Sequence, residues 1–425
     1  MNTAHFEKYR VVFEPLSPVH IGSGLSIEPC EYDLRTRGKA CFLCALDLPQ
    51  IISNLHPQQR QELYALMDKA DYVGVRSWLT RYALNRAKPL FTVRVEQDVF
   101  EEIKNNIDNP HRLGQIDLFV RDPASGRPYI PGSSIKGALR TAVVDALARR
   151  DRNIQSQLQQ LAASAGGPES PKGDNAAIFE ARALGYYTAE EQKRNLYRDP
   201  FRQLAISDLS MPDAPVVAQR FRREELAISD LSMPDGPTII DRITIIRPGG
   251  AASGGRPVSG SGQEKIIIYR EVTNMYVPLR IVGEARLYSG LAARGAVPMR
   301  LDLATLCRQC NDFYIPRLKE ELRLFVTDEA ISGPLLDAAS GLKGLQCLIR
   351  LGRHSHFECV TVGPPFRRSP ASRRSSSANA TPENADRRPR ADALIVGKTR
   401  SYVAGKLPLG WAILSFERIG SQAPA

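Results

Sequence analysis

Between Ile130 and Arg140 the chain reads Ile-Pro-Gly-Ser-Ser-Ile-Lys-Gly-Ala-Leu-Arg. Pro131 and Gly132 make a turn, and Ser133 or Ser134 is placed to cap the first free backbone N–H groups of a helix. Ile135, Leu139, Ala142, Val143, Ala146 and Leu147 then recur at helical spacing. The first turn carries Lys136 rather than an acid, which sets a positive charge beside the positive end of the helix dipole at a cost of about 0.3–1 kcal/mol. A bound anion would offset that cost. Free N–H groups, two hydroxyls, and Lys136 with Arg140 one turn later make a site shaped for phosphate. The plainer reading of the same residues is a capped amphipathic helix with solvated basic side chains.

Two further sets of residues have reactive side chains. His20 lies in Pro18-Val-His-Ile-Gly-Ser-Gly24, a loop with two glycines after an alternating stretch, and His354 and His356 lie in Gly352-Arg-His-Ser-His-Phe357. These histidines are suited to general acid–base chemistry. The pairs Cys41/Cys44 and Cys307/Cys310 have the spacing of zinc ligands. Cys41 and Cys44, however, fall in the apolar run Ala-Cys-Phe-Leu-Cys-Ala-Leu, and Cys307 and Cys310 keep step with Leu303, Leu306 and Tyr314. Both pairs therefore read as core, and no metal or other cofactor is expected.

The elements that must position these residues follow from the pattern. Residues 9–17 read as a strand leading into the glycine loop, followed by a strand over 40–46, helix to Leu55 and again over 58–84, and strands over 91–99 and 116–120. Leu204-Ala-Ile-Ser-Asp-Leu-Ser-Met-Pro-Asp213 recurs identically at 226–235. One copy is expected in a sheet and the other in a surface excursion. Thr238–Ile246 and 265–271 form a long hairpin around a Gly/Ser-rich tip. A strand over 277–288, a helix over 301–324 interrupted at Pro316, and a strand over 345–351 follow. Residues 365–392 hold seven arginines and three acids without an apolar period, and read as a basic linker before strands at 393–403 and 408–416. Gly397-Lys-Thr399 is not a phosphate-binding P-loop, because Asp392 stands where the first glycine is required.

With 425 residues, two domains are expected. Against 46 acids stand 57 basic residues, a net charge of +11, which favours a polyanionic partner over a small neutral ligand. The first residues hold no apolar signal region, no run of 18 apolar residues occurs, and seven cysteines are an odd number. A cytoplasmic protein without membrane association is expected.

The 130–140 stretch resembles the motif of the RAMP superfamily, the crRNA-binding subunits of CRISPR effector complexes. Together with Ser17–Gly24, Arg350-Leu-Gly-Arg-His-Ser-His-Phe357, and Lys398-Thr-Arg400 followed by Pro408-Leu-Gly-Trp411, it resembles the branch that supplies the fifth Csm subunit of type III-A complexes. That resemblance implies an α+β chain of two ferredoxin-like modules with inserted helices. The expected division is a first module at 1–209, the repeat and a thumb-like hairpin at 210–264, a second module at 265–363, a linker at 364–393, and closing strands at 394–425.

The resemblance also implies a non-catalytic subunit that caps the filament at the crRNA 3′ end and serves crRNA maturation and assembly in antiviral defence. By position, Ser133, Ser134, Lys136 and Arg140 would hold crRNA phosphate. His20, Gly22, Ser23, Gly24, Arg350, Arg353, His354, Ser355, Lys398 and Arg400 would contact the RNA nearby. The implied partners are crRNA, target RNA through the thumb, neighbouring Csm subunits and the host nucleases that trim the 3′ end. Two alternatives stay open: an endoribonuclease processing crRNA through His20 or His354, and a generic single-stranded RNA binder. Asp122, the carboxylate a target-cleaving subunit would need, reads more plainly as a turn residue before Pro123.

Overall fold

The computed structural model describes residues 6–84, 87–107, 114–157, 174–188, 193–212, 236–246, 265–326, 328–360, 362, 400–403 and 407–419. Its strands form two large sheets and one small ribbon.

The first sheet is antiparallel. Glu7–Pro15 pairs on one side with Trp411–Arg418 and on the other with Ile281–Leu287, which in turn pairs with Leu204–Ile206 and Leu209–Ser210. The helix Gly132–Arg150 lies between the first and second of these strands in sequence, and the helix Leu303–Phe325 between the third and fourth. This order, fourth, first, third, second, is a β-α-β-β-α-β ferredoxin-like unit. Gln346–Arg350 adds an edge beside Trp411–Arg418, and Tyr129–Ile130 adds the opposite one.

The second sheet runs Gly22–Ile27, Ile116–Phe119, Lys265–Thr273, Thr238–Ile246, Phe91–Val95, Ala40–Ala45, Tyr32–Arg37. The hairpin Thr238–Ile246/Lys265–Thr273 is wedged into its middle, parallel to Phe91–Val95 on one side and to Ile116–Phe119 on the other. Arg400–Val403 also joins it, on the outer part of Thr238–Ile246.

The α+β class expected from the sequence holds, but the division by chain order does not. The first sheet takes strands from both ends of the chain, so modules at 1–209 and 265–363 are not separate units. The closing stretch at 394–425 divides as well: Arg400–Val403 enters the second sheet and Trp411–Arg418 the first. The physical reason is that Val11 and Phe13 bury against Leu414 and Phe416 of the last strand, an apolar pairing that no window of local sequence reveals.

Apolar stripes explain the helices. Ile135, Leu139, Ala142 and Val143 of one helix and Leu306, Phe313, Tyr314 and Leu318 of the other share one core with Val11 and Phe13. The Tyr314 hydroxyl donates to the carbonyl of Ala138 at 3.1 Å and fixes the crossing. Leu303–Phe325 runs unbroken through Pro316, since its packed faces outweigh one lost backbone bond. The stretch expected as one helix over 58–84 is two, Pro57–Asp68 and Tyr72–Tyr82, because Asp71 caps a new start by accepting from the N–H of Gly74 at 2.8 Å. Helices Gln97–Asn106 and Glu329–Ser340 were not expected.

The first repeat copy supplies two sheet strands, as expected of one copy. The second copy, the hairpin tip at 247–264 and the 364–393 linker lie outside the described residues. Cys41 and Cys44 sit in the strand Ala40–Ala45, and Cys307 and Cys310 are buried in the long helix. A hydrogen bond with Cys347, with burial, pushes the Cys307 thiol far above its ordinary value.

Candidate nucleic-acid interface

Three of the four sequence segments meet at the seam between the sheets. A cleft of about 600 Å³ is lined by Gly22 and Gly24 of the glycine loop, by Ser134, Gly137, Ala138 and Thr141 of the motif helix, and by residues 350–353 and Ser355 with Cys359 and Val360. The helix residues recur at i, i+3, i+4 and i+7, so one face of the helix forms a wall. Five of the lining residues are glycine or alanine, which lets a ligand's backbone come close.

Backbone bonds hold the two loops together. The N–H of Arg353 donates to the carbonyl of His20 at 3.0 Å, that of Gly410 to Pro18 at 2.8 Å, and that of Leu351 to Gly410 at 2.8 Å. Gly352 adopts φ +89°, and a Cβ there would drive into the carbonyl oxygen of His20. No other residue type fits.

His20 and His354 work behind this surface rather than on it. Both are buried. The Nδ1 of His20 donates to the carbonyl of Glu271 at 2.7 Å, and its Nε2, buried without a partner, faces Gly22. The Nε2 of His354 accepts from Arg270 at 2.5 Å, and Arg270 pairs with Asp117 at 2.8 Å. Burial pulls His20 down to about 4. Burial, with Arg270 beside it, pulls His354 to about 3. Both rings are neutral near pH 7. Glu271, fully buried, accepts from the N–H of Phe119 at 2.9 Å and the hydroxyl of Thr238 at 2.5 Å, and pairs with Arg121.

The motif helix differs from its expected use. Its N-terminus is capped neither by Ser133 nor by Ser134. Asp208, from the first repeat copy, accepts the N–H of Gly132 at 2.9 Å, and those of Ser134 and Ile135 donate to Pro131. A carboxylate thus stands where a phosphate was expected. Lys136 and Arg140 are one turn apart on the face away from the cleft. Arg140 pairs with Glu180 at 2.7 Å and with Asp199, and lies 4.7 Å from the ring centre of Phe201. Lys136 is half-buried there, near Asp199, and burial lowers its affinity for its proton. Neither residue can be assigned to phosphate in the cleft. Ser133 is exposed in the first turn and does not line the cleft.

Arg350 and Arg400 also differ. Both guanidinium groups are shut away from solvent. Arg350 binds Glu321 at 2.9 Å and the carbonyl of Leu409 at 3.0 Å, and lies 4.7 Å from the ring centre of Trp411, whose indole N–H donates to Glu321 at 2.8 Å. Arg400 binds Glu358 at 2.7 Å. Arg317 completes the network by donating to the Glu358 carbonyl at 2.6 Å. Arg350 lines the cleft and Arg400 does not, and both guanidinium groups are committed to buried carboxylates. Lys398 lies outside the described residues.

Arg353 is the exposed cation of the cleft among the described residues, with Ser23 exposed between Gly22 and Gly24 and with Ser355, itself buried, in the lining. Gly137 and Thr141 were missed, though their spacing from Ser134 was a usable signal. Asp208 had no such signal. Asp122 is partly exposed and accepts from the N–H and hydroxyl of Ser125, as a turn residue does.

The sequence matches the model of the RAMP superfamily over residues 12–274. It is 28% identical to a CRISPR system protein, Csm5, of Enterococcus italicus over 198 residues, which is 40% of this chain and 51%, about half, of that relative's length. A chain in a Csm–crRNA–target RNA ternary complex of a type III-A CRISPR-Cas system superposes with a TM-score of 0.57 at 18% identity, covering 97% of this chain and 100% of the other. The crystal structure of Csm5 from T. onnurineus superposes with a TM-score of 0.51 at 15% identity, over 95% and 99% of the two chains.

Proposed function

The chain belongs to the RAMP superfamily, and from that premise we propose that it is a non-catalytic crRNA-binding subunit of a type III-A CRISPR effector complex, in the place of Csm5. The observation that carries this reading is the convergence of the glycine loop, the motif helix and the 350–360 loop on one cleft. Gly22, Ser23, Gly24, Ser134, Arg353 and Ser355 hold the RNA backbone. His20 and His354 position the two loops. As end cap of the filament, the subunit protects the crRNA 3′ part and supports its maturation by host nucleases. The hairpin built on Thr238–Ile246 and Lys265–Thr273 reaches toward the guide–target duplex, and neighbouring Csm subunits complete the assembly in the cytoplasm.

The endoribonuclease alternative is the weaker one on chemical grounds. A metal-independent ribonuclease needs an acid and a base that reach the scissile phosphate. The two histidines are buried, neutral, and bonded to Glu271 and Arg270. The test is to purify the Csm complex with and without this chain and to size the bound RNA. Loss of the mature crRNA species with precursor processing retained is the expected result; intact mature crRNA without the chain would overturn the proposal. An isolated chain that cleaves precursor RNA, and stops doing so as His20→Ala, would restore the nuclease reading.

A further inference from the structure

We infer that the cleft selects ribose over deoxyribose by accepting a hydrogen bond from the 2′-hydroxyl at Thr141 Oγ1 and Ser355 Oγ, an inference that rests on the cleft being the RNA site.

The hydroxyl of Thr141 lies 3.0 Å from the carbonyl oxygen of Gly137, and that of Ser355 lies 2.8 Å from the carbonyl oxygen of Gly352. A carbonyl oxygen can only accept, so each hydroxyl gives its one proton to the main chain. What each then offers a ligand is its lone pairs. Both residues line the cleft, Thr141 on the helix wall and Ser355 on the loop opposite. Two committed hydroxyls are poor partners for a phosphate, which has only acceptors to offer. They suit a donor.

On a nucleic-acid backbone the sugar donor is the 2′-hydroxyl, the group by which proteins tell RNA from DNA. Arg353, the exposed cation at the same cleft, supplies the complementary donors for phosphate. The cleft therefore separates its two kinds of partner, a guanidinium for phosphate and hydroxyl lone pairs for sugar. Gly137, whose carbonyl holds the Thr141 proton, is itself a cleft residue without a side chain, which leaves the sugar room to approach.

The test compares binding of the full chain to a labelled single-stranded RNA and to the same sequence in uniformly 2′-fluoro form. Fluorine keeps an RNA-like sugar but cannot donate. The native chain should bind the 2′-fluoro strand about three- to tenfold more weakly, as expected for one or two neutral hydrogen bonds. Thr141→Val, which keeps the shape of the helix wall, should remove most of that difference, and Ser355→Ala the remainder. Equal binding of the two strands by the native chain, with both still lost in Arg353→Glu, would overturn the inference and leave the cleft as the RNA site. Discrimination that survives both Thr141→Val and Ser355→Ala would place the sugar reading elsewhere and also overturn it. Binding unaffected by Arg353→Glu would remove the cleft from the RNA path, and this inference with it.

Discussion

The backbone N–H of Arg353 donates to the carbonyl of His20 at 3.0 Å, joining loops 333 positions apart in the chain, and Gly352 makes the approach feasible by standing at φ +89° against that carbonyl. Gly352→Ala would add both a left-handed alanine and a steric clash. The left-handed conformation alone costs about 1–2 kcal/mol, and the clash adds to it. Urea unfolding should show a lower midpoint, with RNA retention falling as the loops part. An unchanged midpoint would mean that the loop relaxes freely and does not define the cleft.

Arg353 and Lys136 give opposite expectations. Arg353 is an exposed lining residue, whereas Lys136 faces Asp199 across the helix from the cleft. Arg353→Ala should leave stability within about 0.5 kcal/mol, as surface substitutions do, and weaken RNA binding with little regard to sequence. Lys136→Ala should leave binding close to native. Salt titration is the check, since removing a phosphate contact lowers the salt slope. A larger loss in Lys136→Ala than in Arg353→Ala would contradict the orientation of the helix.

Much of this site was legible in advance because its parts are local. The strand before Pro18, the helix from Gly132 and the strand ending at Arg350 each follow from periodicity and turn residues. The i, i+4 spacing of Lys136 and Arg140 correctly places them together. It cannot say which polar face of the helix meets the cleft, because Glu180 and Asp199, which hold Arg140, come from distant sequence. Arg350 and Arg400 misled for a related reason. A basic residue in a loop reads as exposed, and only the long helix's Glu321, with Glu358, makes its burial tolerable. The sheet order was hidden likewise, since the pairing of Glu7–Pro15 with Trp411–Arg418 leaves no local signature.

Glu321 is the test of that buried floor. Its carboxylate accepts from Arg350 at 2.9 Å and from Trp411 at 2.8 Å, and lies 3.4 Å from Arg400. Glu321→Gln keeps the shape but leaves buried cations undercompensated, which costs about 3–5 kcal/mol when one partner of such a pair is lost. Thermal unfolding should show a drop much larger than for Arg353→Ala. Replacing Glu321 together with Arg350 by apolar residues of similar size, which leaves the Arg400–Glu358 pair in place, should recover part of it. A single substitution that is nearly neutral would mean water reaches the floor.

The two buried histidines predict a dependence on pH whose sign follows from their depressed proton affinity. Burial holds His20 at about 4 and His354 at about 3 in the folded chain, against 6.5 when unfolded. Between those values the unfolded state binds more protons, so stability is full above about pH 6.5 and falls as pH drops, levelling off below the folded values. Most carboxylates titrate below pH ~5, and Asp241, which burial raises to about 6, acts with the opposite sign, so a loss of stability between about pH 7 and pH 5 reports the histidines. His354→Gln retains an acceptor for Arg270 and His20→Asn retains a donor for the Glu271 carbonyl, yet neither titrates. In the double variant the midpoint should fall less over that interval, with the remaining slope coming from His356, which burial also pulls well down, while the native chain loses stability and RNA retention together, because the rings of His20 and His354 hold the two loops of the cleft. A slope equal in native and variant chains would mean that the histidines are protonated in the fold, and would return them to the list of acid–base catalysts.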